Sequence, residues 1–269
     1  MAAWGGIKTA EVWYALSSSN HNIVNLSRLF IVNPWGKEVN GMLVKKYMTP
    51  NPICLSEEIS VTEAAMQMKE KGVRRFPVVR DDELIGIVTD RDLRSAAPSA
   101  VISFDEKERE LLPELHDFLS NTSIKDIMSK DVAAVRIEDT MMKAAYIMCK
   151  NKISGLPVLG SRGEIAGIVT ESDLFKALID VSGIRQGKVV FGFRVENRAG
   201  SVNEVADVIR GHGSRLISIL SSDSSPDDPG HRDVYIRIQD IPEENLQILK
   251  NELEKKFTLL MMAQDDLIS

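Results

Sequence analysis

Cysteine is scarce: Cys54 and Cys149 are the two thiols in a chain of 269 residues. So few rule out a disulfide framework, and with the scattered histidines His21, His116, His212 and His231 they form no metal-ligand spacing. Each thiol reads as a small core hydrophobe. Positive charge is also short, with 33 Lys+Arg against 39 Asp+Glu, a net charge of -6 and a pI near 5.4. Nucleic acid, which needs a basic face to neutralise phosphates, is excluded as a partner. No apolar run approaches the roughly 20 residues that cross a bilayer. We expect a cytoplasmic chain without membrane contact.

Aromatics make up 6% of the chain, and all three tryptophans, Trp4, Trp13 and Trp35, fall within residues 1–41. No helical or strand period persists there, nor do the charged and apolar regions of a secretory leader. Lys37-Glu38-Val39 is encodable by a purine-rich string like a bacterial ribosome-binding site, with Met42 at a suitable spacing. The expectation is that residues 1–41 are unstructured or mis-annotated, and that translation starts at Met42.

What the sequence does have is self-similarity. Gly86-Ile87-Val88-Thr89-Asp90-Arg91-Asp92-Leu93 returns as Gly167-Ile168-Val169-Thr170-Glu171-Ser172-Asp173-Leu174. Upstream, Val44-Lys45-Lys46-Tyr47-Met48 slides onto Ile124-Lys125-Asp126-Ile127-Met128, and Phe76-Pro77-Val78-Val79 onto Leu156-Pro157-Val158-Leu159. Matches of this length mean a duplicated supersecondary unit. In the first copy, residues 43–96, Ser60 and Glu63 form a capping box. Val61, Ala64, Ala65 and Met68 then mark the apolar face of a helix that ends at Gly72. Two strands follow about the turn Arg80-Asp81-Asp82-Glu83, and a second helix starts at Thr89. The second copy, residues 124–181, repeats this order, with Thr140 as cap, Met141, Ala144, Ala145 and Met148 as the apolar face, and Ser161-Arg162-Gly163 in the turn. Each copy is too small to stand alone, so the two are expected to pack about a pseudo-twofold axis. Residues 97–123 read as a connecting helix whose Leu111, Leu112, Leu115, Phe118 and Leu119 rest on the repeats.

Beyond Gly183 and Gly187 a third unit reads β-α-β-β-α-β, the ferredoxin-like split order. Its strands are Val189–Val195, Leu216–Leu220, Val234–Ile238 and Leu259–Met262. One helix opens with a Ser201/Glu204 capping box, and the other, opened by Asp240 and Pro242, carries Leu246, Leu249, Leu253 and Phe257. The fold class is α/β of the α+β kind.

Each repeat delivers Thr-x-x-Asp where a strand meets a helix, and two readings stand. The pair is itself a variant capping box, the carboxylate favouring the positive helix end. The same geometry suits a nucleotide, with phosphate at the helix start and ribose hydroxyls on the acid. Arg74 and Arg75 add positive charge in the first repeat, where the second has Ser154-Gly155, so the two clefts are not equivalent. Met48, Ile53, Val132 and Pro157 are apolar residues at the cleft edges, suited to core packing or to sandwiching a purine. No nucleophilic triad, paired carboxylates or metal set stands outside these motifs, so an enzyme is not expected.

The paired Gly-Ile-Val-Thr-x-x-Asp-Leu strings, each with a Met-Thr or Met-Ser lead-in and a Pro-Val strand, resemble tandem cystathionine-β-synthase (CBS) domains over residues 43–181. The connecting segment resembles that of the bacterial acetoin-utilisation type. The resemblance implies a regulatory adenosyl ligand, AMP, ADP, ATP or S-adenosylmethionine, with no obligatory cofactor. It places ribose on Asp92 and Asp173, and phosphate on Thr89, Thr170 and Arg74. The first repeat adds Met48, Thr49, Ile53, Arg75, Phe76 and Pro77 as candidate contacts; the second adds Met128, Ser129, Val132, Ser154, Gly155, Leu156 and Pro157. Residues 188–264 resemble an ACT domain, a regulatory module that often binds amino acids where copies meet. Asn197, Gly200, Ser201 and Val202 are its candidate ligand or interface residues. The acid and proline of the usual ACT signature are missing there, and Gly200 is expected to serve close backbone approach. The function expected is a dimeric sensor relaying ligand state to its ACT domain or to a regulated enzyme. The alternatives are a scaffold with empty clefts and an amino-acid sensor.

Overall fold

The structure is a computed structural model and describes residues 41–96, 117, 119–223 and 228–266. The segment expected to be an extension, up to residue 40, and Leu111, Leu112, Leu115 and Phe118 of the connecting segment lie outside the described residues; Leu119 is buried in the first core.

The first repeat contributes α1 (Val44–Tyr47), β1 (Thr49–Pro50), β2 (Leu55–Ser56), α2 (Val61–Lys71), β3 (Arg75–Arg80), β4 (Glu83–Thr89) and α3 (Asp90–Ala96). The second adds a single 3-10 turn (Ile124–Asp126), β5 (Val135–Arg136), α4 (Met141–Asn151), β6 (Gly155–Leu159), β7 (Ile165–Thr170) and α5 (Glu171–Ser182). Local chemistry accounts for the helices. Ser60 Oγ accepts from the Glu63 amide at 3.2 Å, α2 buries Val61, Ala64, Ala65 and Met68, and Gly72 closes it at φ 65°. Thr140 caps α4 in the same way through the Lys143 amide. The β3–β4 turn is tight because Asp81 and Asp82 both take positive φ, 50° and 66°, which matches the twist of a hairpin.

The repeats do not pack as the sequence divides them. The first sheet has the order β2-β3-β4, yet its edge is extended by Ser129, whose amide and carbonyl exchange 3.0 Å bonds with Ile87. The second sheet, β1-β7-β6-β5, takes its edge strand β1 from the first repeat, pairing Thr49 with Ile168 and Pro50 with Gly167. The cores follow the same exchange. Val44 lies in the core of Met141, Ala144, Leu156, Val158 and Val169, whereas Ile124 and Met128 lie in that of Val61, Phe76, Val78 and Val88. Gly86 and Gly167 are glycine because each is crossed by the incoming segment. A Cβ on Gly86 would overlap Met128 Sδ, and one on Gly167 would meet Met48 Sδ at 2.6 Å and the Thr49 carbonyl at 2.8 Å.

The third sheet has the order β11-β8-β10-β9, all antiparallel, built from β8 (Val189–Glu196), β9 (Leu216–Asp223), β10 (His231–Ile238) and β11 (Thr258–Gln264). Helices α6 (Ser201–Gly211) and α7 (Glu243–Lys256) cover one face, where Phe191, Phe193, Ile209, Ile236, Leu249 and Leu253 are fully buried. The capping box expected at Ser201 and Glu204 does not form. Gly200 is the N-cap at φ 93°, so Ser201 already sits inside the first turn, its hydroxyl donating to the Arg198 carbonyl at 3.0 Å. Gly200 does not serve close approach either, since a Cβ there would meet nothing within 4 Å; its positive φ is the reason for glycine.

The exchange is testable. Ile124→Ala should cost about 2–5 kcal/mol in chemical denaturation. Although Ile124 belongs to the second repeat, hydrogen exchange should speed first at Val78 and Val88 rather than at Val158 and Val169. Gly167→Ala should cost about 1–3 kcal/mol, more than Gly86→Ala, because its new methyl meets a backbone carbonyl while the other meets a flexible thioether.

Candidate functional site

At the end of β4 the Thr89 amide and Oγ1 both donate to Asp92 Oδ2, at 2.8 and 2.7 Å, and the Asp92 amide returns a bond to Thr89 Oγ1 at 3.3 Å. At the end of β7 Thr170 repeats the first two bonds to Asp173 Oδ2, at 3.0 and 2.8 Å. Both pairs are therefore capping boxes, as the first of the two readings requires. The second reading survives because a carboxylate has two oxygens. Asp92 is half-buried, and its Oδ1 has no partner among the described residues. Asp173 is 4% exposed, and its Oδ1 accepts from Lys176 Nζ at 2.8 Å. Each threonine hydroxyl donates to its own aspartate, so a phosphate here would have to be met by other donors.

The register brings the remaining candidates together across the repeats. On the second sheet Thr49, Ile168 and Pro157 lie in one row and Thr170 and Gly155 in the next; on the first, Ser129, Ile87 and Pro77 lie in one row and Thr89 and Arg75 in the next. Each cleft is thus composite, its lead-in residue coming from the other repeat. Phe76 and Leu156 have their side chains in the cores, at 1% and 0% exposure, and Met48 and Met128 lie over the glycines they cross. Ile53 is 44% exposed and Val132 half-buried, which leaves both with apolar surface toward solvent.

Arg74 is exposed, whereas Arg75 turns inward and joins the two repeats. Its Nη2 donates to Ser154 Oγ at 2.7 Å, and its guanidinium fills the space that a Cβ on Gly155 would occupy. Burial pulls the Arg75 guanidinium below its ordinary value, while Asp90 and Glu171 raise it and Arg74 lowers it further. Asp90 and Glu171 are equivalent residues of the two strings, so one cation stands between matching acids from both repeats. Neither their part nor that of Lys176 was among the sequence candidates. The i, i+3 spacing of Asp173 and Lys176 on a helix is a signal that finds the second; nothing in the spacing finds the first.

In the third unit the Asn197 amide donates to the Gly230 carbonyl at 2.8 Å and its side chain to the Pro229 carbonyl at 3.4 Å. The Ser201 hydroxyl is used within its own turn, and Val202 packs on the core. These three residues brace the β8–α6 loop. Among the described residues no group of three or more His, Cys, Asp and Glu is placed to hold a metal, and no helix is long and apolar enough to cross a membrane.

Comparison with known proteins identifies CBS domains at residues 44–99 and 124–180. A CBS domain-containing protein of Dictyostelium discoideum is 31% identical over 141 residues, a match that covers 52% of this chain and 93% of that one. The inosine-5'-monophosphate dehydrogenase of Korarchaeum cryptofilum is 31% identical over 172 residues, covering 61% of this chain and only 32% of the dehydrogenase. Among solved structures, CBSX2 of Arabidopsis thaliana in complex with AMP is 26% identical with a TM-score of 0.42, covering 53% of this chain and 99% of that one. With both repeats matched and nearly the whole of the Dictyostelium protein spanned, the chain belongs to the family of CBS-domain proteins.

Proposed function

We propose that this chain is a non-catalytic regulatory sensor that binds an adenosyl ligand, AMP, ADP, ATP or S-adenosylmethionine, in the clefts at the ends of β4 and β7. The observation that carries the reading is the pair of cap-held aspartates. Oδ2 of Asp92 is fixed by two donors from Thr89, which orients Oδ1 to accept from the paired hydroxyls of a ribose. Exposed Arg74 is the phosphate partner of that cleft. In the other cleft Lys176 already holds Asp173 Oδ1 and Ser154 replaces the arginine, so ribose must share the carboxylate and phosphate loses its cation. The first cleft is the tighter site for a nucleotide.

Residues 188–264 serve in this reading as an ACT-type module that passes the ligand state to a partner such as a regulated enzyme. Asn197 and Ser201 are occupied within their loop, which favours an interface role over capture of an amino acid. The sheet leaves β9 and β11 as its edges, with Ile219 and Leu220 of β9 44% and 38% exposed. Open apolar edges of this kind are commonly closed by a second copy, so the protein is a dimer. Light scattering at micromolar concentration should give twice the chain mass of 29.9 kDa; a monomer would refute the dimer.

Isothermal titration with AMP, ATP, S-adenosylmethionine and the common amino acids tests the ligand class. Binding of at least one adenosyl compound is expected, and Asp92→Ala should weaken it about 10- to 150-fold, the equivalent of about 1.5–3 kcal/mol for a hydrogen bond to a charged group. Loss of the cap should cost the apo protein only about 1 kcal/mol. At a concentration near 100 times the dissociation constant the ligand should add about 2.7 kcal/mol per site to stability. Most of that gain should vanish in the Asp92→Ala, Asp173→Ala double variant. Equal melting shifts in the double variant and the wild type would leave the aspartates as caps alone.

A further inference from the structure

The end of α5 is fastened to the third sheet by contacts that neither cleft uses. Their hub is Arg237 of β10, 7% exposed. Its Nε donates to the Ser182 carbonyl at 3.0 Å, its Nη1 to the Gly187 and Lys188 carbonyls at 3.0 and 3.2 Å, and its Nη2 to Asp265 Oδ2 at 2.7 Å. Ser218 of β9 donates to the same Ser182 carbonyl at 2.7 Å. One guanidinium thus takes the last carbonyl of α5, the connection that follows it, and the residue just beyond β11. The approach is close enough to demand glycine: a Cβ on Gly187 would overlap the Ile238 carbonyl, and one on Gly183 would overlap the Ile217 side chain.

The other end of α5 is the second cleft. The helix starts at the Thr170–Asp173 cap, with Asp173 buried, while in its last turn Asp180 accepts from Tyr47 Oη at 3.1 Å. Tyr47 closes α1, immediately before Met48 and Thr49 of the same cleft. Between the cap and Ser182 run 12 helical residues, about 18 Å at 1.5 Å per residue. A helix held by hydrogen bonds at both ends moves as a body rather than absorbing a displacement along its length. The helix of the first cleft, α3, packs instead on α2 and β4.

We propose that α5 couples the second cleft to the third sheet, with Arg237 reading the position of its last turn, so that this cleft and not the tighter first one communicates with the C-terminal unit. The ligand part of this inference rests on the adenosyl reading above; the mechanical coupling does not.

Hydrogen exchange read by mass spectrometry on the full chain tests both. With saturating AMP, amides at 182–188 and 232–238 should slow about fivefold or more, the low end of typical site-to-site coupling. Gly187→Ala and Arg237→Gln should each reduce that effect below about twofold while AMP still protects residues around Thr170. Two variants are used because Arg237→Gln also removes the buried hydrogen bonds of the sheet itself, whereas Gly187→Ala leaves Arg237 in place. AMP protecting the second cleft without slowing 232–238 in the wild type would overturn the coupling, as would transmission of the full effect by Gly187→Ala. A ligand-free arm decides the case in which AMP does not bind. Asp173→Ala, which frees the start of α5, should speed exchange at 232–238 about fivefold in the wild-type background and less than about twofold in Gly187→Ala. Absence of AMP protection at both clefts defeats the nucleotide reading, and no response to Asp173→Ala at 232–238 defeats the coupling.

Discussion

Two methionines crossing two glycines hold this architecture together. Met128 lies over Gly86 and Met48 over Gly167, and each crossing carries an edge residue, Ser129 or Thr49, into the sheet of the opposite repeat. Everything at the clefts depends on that exchange. It sets the rows Thr49–Ile168–Pro157 and Ser129–Ile87–Pro77, and it sends Val44 and Ile124 each into the core of the opposite repeat. A side chain at either glycine would push the incoming segment off the sheet, so the Gly of the repeated string is a packing residue first.

The aspartates show how one group can carry two roles without conflict. An isolated carboxylate at a helix start is mobile and solvated, and holding it for a ligand costs side-chain entropy at binding. Here the threonine donors restrain Oδ2 beforehand, so folding has already fixed the orientation of the second oxygen. The repeats then diverge through single substitutions around a shared frame. Lys176 occupies the free oxygen in one, and Arg75 crosses into the space left by Gly155 in the other direction, where a symmetric pair of arginines could not fit.

Much of the fold was legible because it is written in local signals. The helices over 61–71 and 141–151 follow from their caps and apolar spacing, and the hairpin at Asp81-Asp82 and the strands of the third unit follow from short β-branched runs. The Thr–Asp pairs were visible for the same reason, being three residues apart. What was hidden is non-local. Self-similarity shows that two units match but is silent on which lead-in joins which sheet, since both pairings satisfy the same pattern. The inward turn of Arg75, the approach of Glu171 to its guanidinium and the buried position of Arg237 depend on residues 79, 96 and 55 positions away, respectively: Ser154, Glu171 and Ser182. Gly200 misled for a different reason: glycine is required both for close approach and for positive φ, and sequence does not distinguish them.

The exchange also orders events during synthesis. When the first repeat has left the ribosome, its core still lacks Ile124 and Met128, and its own Val44 belongs to a core whose strands have not been made. The nascent chain must therefore keep apolar surface open until the second repeat emerges, a condition that favours late, concerted closure over folding domain by domain. A gene fragment carrying one repeat without the other would encode a polypeptide missing part of its own interior, which makes the pair, and not the repeat, the smallest inheritable unit of this fold.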